Sequence, residues 1–406
     1  MATADHAVAC YSCGARQVSV FYESPDVPVQ SCVLVESVDA ANSYPVGSLR
    51  LGFCLECGFI QNLAFDPPLV DYSRAAEDTQ GFSATFSAFA RGVAQSLIDR
   101  NDLYGKQILE IGCGKGEFLR LLAELGGNSG VGIDPGYVHG RLTCDAARRI
   151  RFIPEYFSEA HLEMPADFVC CRHVLEHVQP VREFMRLIRK AAGRSRDPVV
   201  FFEVPDVRRI LTEGAFWDIY HEHCSYFSPG SIGRLCRSLD FTVLGMTLAY
   251  DEQYILLESR ASDGKNAARA WPARAMVGCS VEEESVEELW RDVRLFAAAA
   301  AEKRNYWLDA LAGARRRGRT IALWGGGSKA VAFLTTLAAG DSVDCVVDVN
   351  PFKQGHYLPG SGHEVVGPES LLERRPDLVI VMNRVYQAEI GEWVRAHGLA
   401  AKVVAL

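Results

Sequence analysis

The sequence predicts an α/β protein in three parts: a small metal-binding module, a Rossmann-like core, and a second Rossmann-like α/β domain at the C-terminal end. Three observations predict it. Two Cys pairs fall within the first 75 residues. From about residue 80 to 260, apolar strand-like runs alternate with helical patterns, as βαβ units do. From about residue 318 that alternation resumes and again opens on a glycine-rich turn. The expected boundaries are 1–75, 76–262, a linker and connecting helix over 263–317, and 318–406.

A chain of 406 residues is too long for one ordinary core. Its 49% hydrophobic and 23% charged residues are those of a folded protein. The formal net charge of −9 argues against nucleic-acid binding, which depends on Lys and Arg neutralising phosphates. No apolar run reaches the roughly 18 residues a membrane span needs, and Met1 to Cys10 lacks the pattern of a signal peptide. The expectation is a cytoplasmic protein with no membrane partner, whose 13 cysteines are reduced thiols or metal ligands.

Cys10-Tyr-Ser-Cys13 and Cys54-Leu-Glu-Cys57 form two knuckles, each followed by a glycine, Gly14 and Gly58, that lets the chain turn back. Four thiolates from two such knuckles suit tetrahedral Zn²⁺, closed and structural. Cys32 lies between them and is the rival ligand. A redox CxxC is the other alternative, but no thioredoxin-like βαβ frame surrounds either pair.

Gln107-Ile-Leu-Glu-Ile-Gly-Cys-Gly-Lys-Gly116 is a strand, a glycine-rich turn and the start of a helix. Its glycines admit a ligand to the backbone, and the helix N-terminus offers N–H donors to an anion. The next strand, Gly130-Val-Gly-Ile133, ends in Asp134, where an acid can accept ribose hydroxyls. This order resembles the class I S-adenosylmethionine methyltransferases. The resemblance implies donor-binding positions at Glu110, Gly112, Gly114 and Asp134. An NAD-binding Rossmann site shares the same logic and is the competing reading. Asp167-Phe-Val-Cys-Cys-Arg-His-Val-Leu-Glu-His177 resembles the fourth-strand motif of the same enzymes, with Arg172 and His173 beside the donor. Glu176 and His177 are expected to be packing or capping groups. Phe201-Phe-Glu-Val-Pro205 reads as the fifth strand, with Glu203 at its end, and Pro154-Glu-Tyr-Phe157 falls where adenine is usually met.

The densest run of titratable and aromatic residues is Phe216-Trp-Asp-Ile-Tyr-His-Glu-His-Cys-Ser-Tyr-Phe-Ser228. His221 and His223 share a face only on a strand, so a metal here would need a separate third ligand. Taken together, the two knuckles, ILEIGCGKGEFL, CRHVLEHV, FFEVPD, YHEHCSYFS and WGGGSKAVAFL resemble one family over nearly the whole chain: the sugar C-methyltransferases of deoxysugar biosynthesis. That family includes enzymes of natural-product pathways that methylate C3 of nucleotide-linked 4-keto-deoxysugars. The resemblance implies S-adenosylmethionine as donor, a nucleotide-linked sugar as small-molecule acceptor, and an enediolate intermediate. It maps His223 to the general base, with Glu222, Tyr220 and Tyr72 placing or polarising the sugar. Two stretches depart from the better-known sugar enzymes, Ala249-Tyr-Asp-Glu-Gln-Tyr-Ile255 and Asn383-Arg-Val-Tyr386. Oxygen methylation and other small-molecule acceptors stay open on that account.

In the last domain, Gly325-x-Gly327-x-x-Ala330 with Asp348 has the spacing of a dinucleotide site. An NAD-dependent oxidoreductase is therefore the reading from another class, whereas the resemblance implies a domain that helps hold the acceptor, with Lys329 and Lys353 on its diphosphate. Arg315 to Arg319 is expected to be a solvated helix end. Ser280 with Glu283 is expected to be the capping box of the connecting helix.

Overall fold

The computed structural model describes residues 4–5, 8–72, 76–142, 144–193, 198–261 and 276–406, so the expected linker over residues 263–272 and Ser73 and Arg74 lie outside the described residues. Three sheets organise the chain. The first is antiparallel, in the order β1 (Ala4–Asp5), β2 (Val18–Pro28), β3 (Val46–Cys54), β4 (Ile60–Asn62), β10 (Ser225–Tyr226). Its fifth strand comes from far along the chain, immediately after His223. The N-terminal sheet is thus completed by the segment that follows His223 instead of standing alone on residues 1–75.

The central sheet contains β5 (Gln107–Ile111), β6 (Ser129–Ile133), β7 (Ile150–Ile153), β8 (Phe168–Arg172), β9 (Val199–Pro205), β11 (Phe241–Ala249), β12 (Tyr254–Ala261) and β13 (Cys279–Ser280). Its order is β13-β11-β12-β9-β8-β5-β6-β7. The run from β9 to β7 is parallel, and β12 is inserted antiparallel between β9 and β11. The parallel strands are near-continuous apolar runs because both faces are covered. Helix α2 (Ala84–Asn101) and α3 (Glu117–Gly126) pack on one side through Ile98, Leu119 and Leu122, and α4 (Val181–Gly193) and α6 (Pro229–Ser238) on the other through Met185, Ile188 and Leu235. The switch in strand order lies between β5 and β8, and in open α/β sheets ligands bind at that crevice.

The third sheet is wholly parallel: β14 (Ile321–Trp324), β15 (Cys345–Val347), β16 (Val365–Val366), β17 (Leu378–Val381) and β18 (Lys402–Ala405), in the order β16-β15-β14-β17-β18. It carries α8 (Ser328–Leu337), α9 (Leu371–Arg374) and α10 (Gln387–Ala396). Two further helices complete the set, α1 (Val38–Asn42) and α5 (Val207–Glu213). The connecting helix α7 (Val286–Arg316) buries Phe296 against Tyr22 and stacks Trp290 on Phe53 of the first sheet. Its N-cap is Ser285, in a capping box with Glu288, which corrects the expected Ser280 and Glu283. Ser280 is instead in β13, and Glu283 pairs with Arg237. Ser285 Oγ accepts from Glu288 N and Glu288 accepts from Ser285 N, whereas Ser280, with the same spacing to Glu283, is held in β13 and its Glu is taken by Arg237. Arg315 ends α7 exposed and paired with Asp344, in keeping with a solvated helix end.

Among the described residues, no helix is long and apolar enough to cross a membrane.

Candidate active site

All three parts face one cleft of about 1000 Å³. Tyr72 lines it from the N-terminal side, Asp134 and His223 from the core, and Trp324, Lys329 and Asn383 from the C-terminal unit.

The donor end is built by β5 and the turn after it. Gly112 holds φ +71°, and a Cβ there would stand 2.0 Å from Val174 Cγ2, so this position excludes any side chain. The turn delivers the chain to α3, whose first residues, Glu117 and Phe118, line the cleft. Asp134 sits over the loop: Oδ2 accepts from Gly114 N at 2.8 Å and Oδ1 from Gly136 N at 2.7 Å. It thereby organises the loop in addition to facing the cleft. Glu110 ends β5, buried, with Oε2 lacking a hydrogen-bond partner. Burial pushes its carboxyl up to about 8 against the opposing charge of Arg172. Arg172 grips Glu203 with both arms, at 2.6 and 3.1 Å, and lies over the ring of Phe118. His173, at φ +53°, bonds Glu203 through Nε2 at 3.0 Å. Glu203, expected only to point from its strand end, is thus the fully buried centre of an ion cluster. Tyr156 and Phe157, from the stretch expected near adenine, line the same cleft as Asp134.

The other end is made by the segment after the turn Phe216–Asp218. His223 projects into the cleft with its ring edge-on to Tyr220 and His177, each at 4.8 Å between centroids. Burial, with the neighbouring His177, pushes its imidazole down to about 3, so it is neutral at ordinary pH. Glu222 accepts from Ser31 N at 3.1 Å. Tyr72 places its hydroxyl 2.9 Å from His177 Nδ1, and burial and the charge of Glu222 hold that hydroxyl protonated. Tyr220 also lines the cleft, and its hydroxyl donates to Asp218 Oδ1 at 3.0 Å.

His221 turns away from the cleft. Its Nδ1 lies 3.0 Å from Ser48 O, under Gly47, because the segment is a turn and the two histidines diverge. Glu176 and His177, expected to be packing groups, are the residues brought to His223 instead. Ligand atoms of Glu176, His177 and His223 lie within 4.8 Å of one another. Sequence gave little sign of this, since 46 residues separate His177 from His223; the pairing of β10 with β4 and the bond of Ser225 to Val178 O close that distance.

In the C-terminal unit, Asp348 accepts from Gly326 N and Asn350 N, both at 2.8 Å. Lys329 is committed to Asp218 at 2.5 Å, and Lys353 lies 3.7 Å from Asp348, so neither expected diphosphate lysine is unpaired here. The two departing stretches meet one another. Gln253 and Asn383 exchange amide bonds at 3.0 and 2.9 Å, and Asp251 pairs with Arg384. Tyr250, Asp251 and Glu252 all hold positive φ, a strained turn for residues with side chains.

Outside the cleft lining, Cys10, Cys13, Cys54 and Cys57 bring four Sγ atoms within 4.8 Å of one another, none of them in a disulfide. Gly14 and Gly58, at φ +81° and +73°, return N–H bonds to Cys10 O and Cys54 O. Cys32 is elsewhere, against Ser328 Oγ.

Residues 86–245 match the methyltransferase domain family, and residues 264–399 match the C-methyltransferase C-terminal domain family. The chain is an S-adenosylmethionine-dependent methyltransferase. The enzyme has the class I α/β core. It is 28% identical over 301 residues to C-methyltransferase NovU of Streptomyces niveus, covering 70% of this chain and 68% of that protein. These matches support membership of the S-adenosylmethionine C-methyltransferase family. It is 33% identical over 93 residues to the mitochondrial ubiquinone biosynthesis O-methyltransferase of Schizosaccharomyces pombe, of which the match covers 34%. Similar solved structures include magnesium protoporphyrin IX methyltransferase from Synechocystis PCC 6803, 18% identical with a TM-score of 0.33, covering 44% of this chain and 84% of that one. Another is the 1,6-didemethyltoxoflavin-N1-methyltransferase of Burkholderia thailandensis, 15% identical with a TM-score of 0.34, covering 51% and 97%.

Proposed function

We propose that the enzyme methylates carbon: C3 of a nucleotide-linked 4-keto-deoxysugar, through an enediolate. The observation that carries this is His223, a neutral imidazole projecting into the cleft that also holds the donor loop. Similarity to C-methyltransferase NovU and to the C-methyltransferase C-terminal domain supports it.

The donor loop fits S-adenosylmethionine. The partnerless Oε2 of Glu110 suits the donor's ammonium, the N-terminus of α3 its carboxylate, and Asp134 its ribose hydroxyls. When bound, the donor supplies an electrophilic methyl on sulfur. At the acceptor, the ketone acidifies the neighbouring C–H, and His223 takes that proton. The electron pair of the broken bond passes towards the ketone oxygen, and Tyr72, kept protonated, can donate to the developing oxyanion. The carbon then takes the methyl, and the chain is left with a protonated His223. Glu222, fixed by Ser31 N, accepts from a sugar hydroxyl.

The four-thiol cluster is proposed to hold structural Zn²⁺. Tetrahedral Zn–S bonds of ~2.3 Å set sulfurs ~3.8 Å apart, and Cys10 with Cys57 and Cys13 with Cys54 stand at 3.7 and 3.6 Å.

The test is proton exchange. In heavy water, with S-adenosylhomocysteine in place of the donor, the enzyme should wash deuterium into C3 of thymidine diphosphate 4-keto-6-deoxyglucose. Failure to exchange any keto sugar, together with methylation of a hydroxyl, would replace carbon by oxygen as the target.

A further inference from the structure

Glu176 is buried, at 3% exposure, on the short turn after β8, and it lines the cleft. One oxygen lies 3.4 Å from His173 Nδ1, while Oε2 is buried without a hydrogen-bond partner. A partnerless carboxylate oxygen in the interior is costly unless something uses it. His173 and His177 face this carboxylate from its own segment and His223 from the turn before β10. Asp218 and Tyr220 border His223 on its other side, and the hydroxyl of Tyr72 stands beyond His177. Arg172, Glu203, the part-buried His173 and Glu176 form a row of alternating charge that runs to His223.

We propose that Glu176 is the positioning residue that makes His223 a base: fixed on one side by His173, it turns its unpartnered oxygen to the imidazolium formed when His223 removes the acceptor's proton. The inference rests on the carbon-methylation reading. In the step, the C–H bond breaks, its electron pair goes to the enediolate, the proton goes to a ring nitrogen of His223, and Glu176 stays ionised. Proton capture completes the alternation of the row. Burial works to raise the Glu176 carboxyl, but the bond and charge of His173 lead the interactions that outweigh it and keep it ionised. Burial and His177 disfavour a proton on His223, and the charge of Glu176, ahead of that of Asp218, opposes them.

The experiment compares wild type, Glu176→Gln and Glu176→Asp as full-length enzyme with S-adenosylhomocysteine bound. It follows deuterium wash-in at C3 of thymidine diphosphate 4-keto-6-deoxyglucose from strongly acid pH, below the value of about 3 at which His223 takes a proton, to mildly basic pH. Exchange needs neutral His223, so losing the negative neighbour lowers the proton affinity of the ring. Glu176→Gln should move the acid limb to lower pH and cut the plateau about 10–100-fold, as a weakened general base does. Glu176→Asp should recover part of both. Unchanged affinity for S-adenosylhomocysteine reports that each variant is folded. Wild-type exchange by Glu176→Gln overturns the proposal, as does a lost rate with the acid limb in place, which is the mark of a merely structural role. A wild type that exchanges no keto sugar overturns the carbon reading and this inference with it.

Discussion

Lys329 closes on Asp218 at 2.5 Å, so the second residue of α8, in the C-terminal sheet's unit, is ion-paired to the turn that leads into His223. Asp218 also takes Arg209 at 2.6 Å and the hydroxyl of Tyr220 at 3.0 Å. The C-terminal unit is therefore tied to the end of the cleft proposed to hold the acceptor.

Lys329→Met should loosen that end. Removing one partner of a buried pair leaves its charge undercompensated, but Arg209 remains on Asp218. A loss of about 1–3 kcal/mol is expected, below the full cost of an orphaned charge. Urea unfolding measures it, and calorimetry with S-adenosylhomocysteine should show the donor site intact. A variant as stable as wild type would mean the pair contributes nothing.

His223→Ala should stop deuterium wash-in, with a loss on the order of 10²–10⁴ in rate for a missing general base. Donor affinity should hold, because Glu110 lies in β5 and Gly112 and Asp134 in the turns just after β5 and β6. Exchange at the wild-type rate would remove His223 as the base and make Tyr72 the next group to test.

Asp134→Ala acts twice. It removes an acceptor for the ribose and frees Gly114 N and Gly136 N, both now bonded to its carboxylate. Calorimetry should find S-adenosylhomocysteine weakened by about 1–3 kcal/mol, the range for an unpaired buried polar group. Unchanged affinity would take Asp134 out of the donor site.

His173 should make stability fall on the alkaline side. Burial alone would lower its proton affinity, but Glu176 and Glu203 reverse this and raise it to about 9. A raised folded value gives stabilisation that is complete below the unfolded value of ~6.5 and lost as pH rises through about 9. Unfolding free energy should drop by about 1–3 kcal/mol across that window. In His173→Asn the slope should vanish; a slope that persists would place the titration elsewhere.

Metal analysis of freshly purified enzyme should find about one zinc per chain, by the four-ligand count. Stripping it with a strong chelator should lower the melting temperature and also the activity. The coupling follows from β10, which ties the segment holding His223 to β4, close to the knuckles. Metal-free protein that melts and turns over like the native enzyme would end the structural-zinc reading.

The local signals in the chain determined a good deal. Spacing and two glycines determined the knuckles at Cys10/Cys13 and Cys54/Cys57, because a tight turn needs positive φ. An apolar run into Gly112 and Gly114, then a second run ending in Asp134, determined the donor loop, because adjacent elements follow from adjacent residues. Tertiary structure alone decided the acceptor end. The same four-residue motif sends His223 into the cleft and His221 beneath Gly47, since a turn, unlike a strand, does not keep residues two apart on one face. Glu176 reads along the chain as a capping residue; only the return of β10 to the first sheet sets it beside His223. Lys329 reads as a phosphate ligand, yet a buried Asp218 111 residues earlier claims it, because a buried carboxylate must be paired and this ammonium is within reach.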